Sequence, residues 1–250
     1  IMGLLIFTGG LGIPVLTDLL TTERRRVSIN TKVTLGMVAL LVLVGWVGLY
    51  VAETRPGGVL DGTPLTQRLV HTWFQSVSTR TAGFPGLREF DQLAPPSQLV
   101  VMALMFIGCA PASMGGGITT GTFAVLVLAL WSYARGRPLT RVGSWSVPQE
   151  TVRRAGAVIT VSIVLVVAAT WSLLLTHDFS LNEALFEVIS AFATCGLSLG
   201  ITTELNTVGR LVVMVMMVWG RLGALTIVTA VASTRPTPLV EYPEANILIG

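Results

Sequence analysis

The sequence predicts an all-α membrane protein assembled from repeated helix–re-entrant loop–helix units, and three observations carry that expectation. Only 12% of the 250 residues are charged and 52% are hydrophobic, whereas soluble domains carry about 25% charged residues; the mean hydropathy is +0.75. Two stretches, 33–52 and 155–175, are free of charge and have the roughly 20 residues that cross a bilayer as helix. Glycine-bearing segments also recur at a nearly fixed spacing, the mark of an internal repeat.

Taken in order, the chain opens on IMGLLIFTGGLG, apolar from its first position. It has neither the basic n-region nor the small-residue cleavage site of a signal peptide. Residues 1–20 read as the last helix of a truncated unit, broken at Gly9, Gly10 and Gly12, with the protein continuing upstream. The span 33–52 follows, with Trp46 and Tyr50 toward one end, where an interfacial belt places aromatic residues. The stretch to Leu99 is too long for a turn and too short for another span, and contains HTWFQSVSTRTAGFPG at 71–86. Leu99–Trp131 is apolar at both ends with GCAPASMGGGITTG between. The span 155–175, with Trp171, leads to EALFEVISAFATCGLSLG at 183–200. Leu211–Val231 closes the series, interrupted by Gly220, Arg221 and Gly223. Irregular backbone at membrane depth is tolerated only inside protein or along a wet cavity, so these interruptions point to a pathway.

The two middle stretches align. Phe74 corresponds to Phe186, Gln75 to Glu187, Ser78 to Ser190, and Gly83 to Gly196 with one residue of slack. Gly83 precedes Gly108 by 25 residues and Gly196 precedes Gly220 by 24. LIFTGGLG (5–12), LMFIGCAP (104–111) and MMVWGRLG (216–223) align in turn. The domains expected are therefore 1–20, a complete unit over 33–134, a second over 153–234, and a cytoplasmic tail at 235–250. About four such units ring a pore, which leaves the remainder upstream.

Charge orients the chain. Arg24–Arg26, Lys32, Arg135, Arg137, Arg141, Arg153, Arg154 and Arg235 gather on one side, which the positive-inside rule makes cytoplasmic. The other side, with Glu53, Asp61, Glu89, Asp91, Asp178, Glu183, Glu187 and Glu204 against fewer arginines, is net acidic, as suits a mouth that gathers cations.

A short helix that stops at a glycine tip inside the membrane turns its negative dipole end toward the pore. The extended residues beyond it can present backbone carbonyls in place of a cation's hydration shell, and glycine reaches backbone angles that residues with a Cβ resist. Thr81, Ala82, Gly83 and Phe84, and again Thr194, Cys195, Gly196 and Leu197, fit an ion selectivity filter of this kind. The fold class expected is thus repeated helix–pore-loop–helix units around a central ion pore.

The tips RTAGF and ATCGLSLGIT, the break APASMGGGITTGTF and the segment GRLGALT resemble the Trk/Ktr/HKT superfamily of potassium transporters, most of all the bacterial Ktr-type membrane subunit, along essentially the whole chain. The resemblance implies that residues 1–20 end the second repeat and that the third and fourth repeats follow complete. It implies potassium uptake across the cell membrane, with potassium, and in some members sodium, as the transported ligand and no covalently bound cofactor. It implies a homodimer of pore subunits seated on a cytoplasmic nucleotide-binding regulatory subunit. It also implies a gate: the break containing Gly108, Gly115, Gly116 and Gly117 as an intramembrane loop beneath the filter, and Arg221 as an arginine projecting into the same constriction. A lone arginine at membrane depth must find partners, and carbonyls of that loop are the expected ones. The sequence departs from the family where Thr119 replaces a lysine and Ala224 a proline.

Other readings of these residues are weaker. Gly115–Gly117 lacks the Lys-Ser/Thr ending of a phosphate loop; Gly117 and Gly121 fit a helix-packing GxxxG. His71 and His177 suit capping or interfacial roles better than a metal. Arg80, next to the filter, is expected to point away from the axis and to tie the pore helix to a nearby acid. Glu183 and Glu187 are solvated, structural or ion-gathering, and Arg24–Arg26 form a topology anchor or a regulatory contact. No intramembrane pair of acids, metal set or Ser-His arrangement suggests an enzyme. A sodium-preferring or sodium-coupled transporter of the same superfamily stays open as the alternative, because the first filter lies outside this sequence.

Overall fold

The computed structural model describes residues 1–21, 27–87, 90–137, 139–142 and 145–222. The basic run Arg24–Arg26, the pair Arg88–Glu89 and everything after Leu222, including the rest of GRLGALT and the tail at 235–250, lie outside them.

Two helices open the chain, α1 (Met2–Gly10) and α2 (Ile13–Thr21), bent by 97° at the predicted glycine break. Gly12 makes the elbow at φ +78°, and a β-carbon there would come 2.5 Å from the Pro111 carbonyl oxygen. Helix α3 (Ile29–Glu53) covers the first predicted span with 25 residues, about 37 Å of helix. The Ser28 hydroxyl caps it by accepting from Thr31 N–H at 3.2 Å. Thr34, Val38, Leu41, Gly45, Leu49 and Ala52 are its buried stripe, at the three- and four-residue steps that put side chains on one helix face.

Helix α4 (Leu65–Ser78) has 14 residues, too few to cross the membrane. It lies against α3, where Gly45 lets Ser76 close in. Ser76 Oγ then donates to Val42 O at 2.8 Å and Trp46 Nε1 to Leu69 O at 3.1 Å. Helices α5 (Pro95–Phe106) and α6 (Thr120–Ala134) are the halves of the predicted broken span. Between them the loop 107–119 leaves and returns side by side: Ile107 and Ile118 form a parallel bridge, and Ile118 N–H donates to Phe106 O at 3.1 Å. Thr119 caps α6. A small antiparallel pair, Arg141–Val142 with Trp145–Ser146, leads on to the next helix; nothing in the sequence pattern foretold it.

The second long span is α7 (Gln149–Thr176), 28 residues, followed by the short α8 (Leu181–Phe192) and by α9 (Thr207–Leu222). Helix α8 is sandwiched by α5, α7 and α9, so Phe186 and Phe192 are fully buried with Leu173, Met105 and Ile118. The expected interruption at Gly220 is not there: α9 stays helical through Leu222. Gly220 serves close packing instead, because a β-carbon on it would fall 1.7 Å from the Phe192 carbonyl oxygen. The GxxxG reading also fails, since Gly117 sits in the loop at φ +80° and only Gly121 is helical.

The outward faces of α3 and α7 expose Leu40, Leu43, Val44 and Val47, and Val164, Val167, Trp171 and Leu175. Apolar faces of this extent are a liability in water and are satisfied by lipid. The chain is an all-α, multi-pass membrane protein.

Candidate filter and intramembrane loop

The first tip grows out of the C-terminus of α4. Ser78 holds it: its carbonyl accepts from Ala82 and Gly83 N–H at 3.1 and 3.2 Å. Its hydroxyl donates to Phe84 O at 2.5 Å while accepting from Phe84 N–H at 2.9 Å. Gln75 and His71, one turn apart on α4, take both polar groups of Gly86. Gln75 Oε1 accepts from Gly86 N–H at 2.6 Å, and His71 Nδ1 lies 2.7 Å from Gly86 O, so that nitrogen carries the proton.

The second tip follows α8 in the same way. Cys195 N–H donates to Ser190 O at 2.9 Å, and Glu187, the counterpart of Gln75, accepts from Ser198 Oγ at 2.7 Å. The backbone angles match as well. Thr81 and Thr194 stand at φ +73° and +51°, and Gly83 and Gly196 at +70° and +89°, with no positive φ between. A left-handed threonine is held at about 1–3 kcal/mol of local strain, which structures retain mainly where function requires it. Alternating handedness turns successive peptide groups to a common side, whereas a strand alternates them.

The tips touch. A β-carbon on Gly83 would lie 2.0 Å from Cys195 O, and Cys195 Sγ donates to Thr79 O at 3.3 Å. The thiol and the Leu197 side chain are therefore buried, which leaves Cys195 and Leu197 only backbone groups to offer a pathway. Phe84 and Gly196 are exposed and Thr81, Ala82, Gly83 and Thr194 half-buried.

The glycine-rich loop lies against both tips. A β-carbon on Gly115 would meet Thr81 Oγ1 at 2.9 Å, and one on Gly116 would meet Thr194 Oγ1 at 2.7 Å. Gly108 has the same closeness within the loop, to Gly116 O at 1.9 Å. The loop also binds the α1–α2 elbow, with Ala110 N–H donating to Gly10 O at 3.0 Å. Arg221 of α9 donates to Met114 O, a loop carbonyl. Below Thr194 a cavity of about 480 Å³ opens between Met114, Met217 and Arg221.

Arg80 corrects its expectation. It points away into the protein and is buried, yet no acid meets it among the described residues. Its guanidinium donates to Gly108 O at 3.1 Å and to Thr120 Oγ1 at 2.8 Å, the two feet of the loop. Thr120 Oγ1 itself donates to Gly108 O at 2.9 Å, and the Cys109 thiol donates back to Arg80 O at 3.1 Å. The acidic rim is also smaller than the charge count suggests. Glu53 is fully buried, with Val59 and Ala94 N–H donating to its oxygens at 3.0 and 3.1 Å. Glu183 closes a capping box with Ser180, whose hydroxyl and backbone N–H hold its carboxyl below the usual carboxylate range. Glu187 is buried. His177 is stacked on Phe179 and accepts from Asn206 N–H at 2.9 Å, a capping role.

Sequence reading missed Ser78, Cys109 and Thr120 as parts of this arrangement. Ser78 carried a signal, its alignment with Ser190; Cys109 and Thr120 carried none, because their partners are far away in the chain.

Fold and site together define a multi-pass membrane protein in which two short helices bring their glycine tips into contact against a glycine-rich loop. Residues 1–241 match the family described as TrkH, cation transport protein. The chain belongs to that family, which is one of transporters and not of enzymes. It is 37% identical to the Ktr system potassium uptake protein B of Vibrio alginolyticus over 99% of this chain and 54% of that protein. It is 38% identical to the Ktr system potassium uptake protein D of Bacillus subtilis over 99% of this chain and 56% of that one. It is 32% identical to the potassium/sodium uptake protein NtpJ of Enterococcus hirae over 100% of this chain and 56% of that one. The chain thus spans about half the length of the curated relatives it matches. The crystal structure of the potassium transporter TrkH from Vibrio parahaemolyticus shares the fold, with a TM-score of 0.70 at 18% identity over 94% of this chain and 51% of that one.

Proposed function

We propose that this chain supplies the third and fourth quarters of a potassium-uptake pore, with Thr81–Phe84 and Thr194–Leu197 as half of its selectivity filter. The observation that carries this reading is the direct contact of Gly83 with Cys195 O, as neighbouring quarters of one ring require, with Thr and Gly left-handed in both tips. Potassium is the transported ligand. Backbone carbonyls replace its hydration shell, and the C-terminal ends of α4 and α8 add partial negative charge.

The loop with Gly108 and Gly115–Gly117 acts as the gate, and Arg221 holds it shut through Met114 O while repelling cations from the constriction. We further propose a homodimer of pore subunits on a cytoplasmic nucleotide-binding subunit; the word system in the names of the Ktr proteins is in keeping with further subunits. One observation favours sodium participation as a second reading, the similarity to a protein named for potassium and sodium uptake.

The test is rubidium uptake and low-potassium growth of potassium-uptake-deficient cells expressing the full-length protein, with and without sodium. Rescue is expected, and Arg221→Ala is expected to raise uptake or uncouple it from regulation. Absence of rescue, with the protein present in the membrane, removes the potassium assignment.

A further inference from the structure

Glu187 and Gln75 occupy the same place in the two units and do the same mechanical task. Each accepts a hydrogen bond from the residue eleven positions on, behind its own tip: Gln75 from Gly86 N–H, Glu187 from Ser198 Oγ. The amide performs this without charge, so the hydrogen bond does not explain why the second unit carries a carboxylate. That carboxylate is 6% exposed. Ser198 Oγ and Thr202 Oγ1 donate to its two oxygens at 2.7 and 2.6 Å, and Thr202 Oγ1 lies 2.8 Å from Ser198 Oγ. No cationic side chain among the described residues pairs with it, the ion pair found there being Arg154 with Glu150, on the surface.

Burying a carboxylate costs free energy that hydrogen bonds offset in part, as at Glu53, and that a nearby positive charge offsets further. The space that would hold it is present. A cavity of about 250 Å³ is lined by Glu187, Ser198 and Thr202 on one side and by Thr194 and Gly196 of the tip on the other. Carboxylate, hydroxyls and tip thus share one chamber, and oxygen ligands of this sort suit hard cations, the monovalent ions of oxygen-lined pores among them.

We propose that Glu187 is a specificity-determining residue that raises the affinity of the second tip for a monovalent cation, with the transported ion itself as its counter-charge. This rests on the reading of the tips as the filter and names a residue behind them that sets occupancy. The charge acts on the ion through the cavity, while the hydroxyls of Ser198 and Thr202 keep the carboxylate from collapsing onto the tip backbone. The asymmetry follows: the unit with Gln75 positions, and the unit with Glu187 positions and attracts.

The experiment is rubidium uptake by the full-length protein in potassium-uptake-deficient cells, with KM and maximal rate measured separately and membrane abundance quantified. Glu187→Gln keeps an oxygen acceptor, as Gln75 does, and removes the charge. It should raise KM by about three- to thirty-fold, the scale of one unit charge acting over several ångströms in a protein, with maximal rate and abundance nearly unchanged. Unchanged KM, or a fall in rate alone, overturns the proposal and leaves Glu187 a structural acceptor. Should Glu187→Gln not reach the membrane, Gln75→Glu carries the test: it adds the charge to the other unit and must lower KM, and no change overturns the proposal. Gly83→Ser in the same cells separates this from the filter reading. If cation preference shifts in Gly83→Ser while KM is unmoved in Glu187→Gln, only the role of Glu187 fails; if Gly83→Ser changes nothing, the filter reading itself fails.

Discussion

Gly83 lies against the carbonyl of Cys195, so closely that a β-carbon would come within 2.0 Å of the oxygen. The two tips are therefore not independent loops that happen to look alike; each sets the position of the other. Gly83 also stands at φ +70°, which costs a residue with a Cβ about 1–2 kcal/mol. Gly83→Ala in the full-length protein should reduce rubidium uptake by at least about tenfold, since 1.4 kcal/mol already corresponds to that factor. Gly57 is the control. It has a similar φ of +85° but open space around it, so Gly57→Ala should leave uptake nearly intact. Equal effects of the two substitutions would show that backbone strain, and not the contact between tips, matters at Gly83.

The clamp of Arg80 on Gly108 O and Thr120 Oγ1 ties the first tip to both feet of the loop. Hydrogen bonds from a charged donor are worth roughly 1.5–3 kcal/mol each. Thr120→Val removes one and should lower the thermal midpoint of the purified full-length protein and raise its cation leak, whereas Thr120→Ser, which keeps the hydroxyl, should do neither. Arg80→Gln should exceed Thr120→Val in both measurements. If Thr120→Ser and Thr120→Val behave alike, the hydroxyl is not part of the clamp.

These contacts mark where sequence legibility ended. Helices α3 and α7 could be placed within a few residues because lipid demands long apolar runs, and the tips because glycine recurs with Phe and Ser at matched spacing. The loop was visible as glycine where helix would otherwise continue. The partners of Arg80 were hidden, since they are a backbone carbonyl 28 residues away and a hydroxyl 40 residues away. A buried arginine invites an acid as its partner, and Glu53, a rim charge by its place in the sequence, instead accepts from two backbone N–H groups. Gly220 misled for a related reason: glycine can interrupt a helix or let another backbone approach it, and the two are indistinguishable without the partner helix.

The start of α8 should carry a signature of acid. The Ser180 hydroxyl donates to Glu183 Oε2 at 2.6 Å and Ser180 N–H to the same oxygen at 3.0 Å, which lowers the Glu183 pKa. A carboxyl whose folded pKa is depressed stabilises the fold above its unfolded value of about 4.3, and that stabilisation is lost as pH falls through the folded pKa. Ser180→Ala removes the cap, worth about 0.5–2 kcal/mol, and with it this part of the acid sensitivity. Thermal midpoints measured from neutral pH down to about pH 3 should therefore differ most between the two proteins above about pH 4.3 and converge below it. A difference independent of pH would mean that the carboxylate takes no part in the cap.

Gly220 gives the sharpest test of the packing between α9 and α8. It lies in regular helix, without a positive φ, so alanine would favour the isolated helix by about 1 kcal/mol. The Phe192 carbonyl stands where the new methyl group would go, at 1.7 Å, and belongs to the last turn of α8, next to the second tip. Backbone cannot rotate aside as a flexible side chain can, so α9 must shift, and overpacking of this kind costs about 1–3 kcal/mol. The steric term exceeds the propensity term. Gly220→Ala should therefore lower the thermal midpoint of the purified full-length protein, against the usual sign of a glycine-to-alanine change in a helix, and should disturb uptake because the end of α8 against which α9 packs leads two residues on into Thr194. A raised midpoint with normal uptake would mean that α9 and α8 are farther apart in the working protein than their contact here requires.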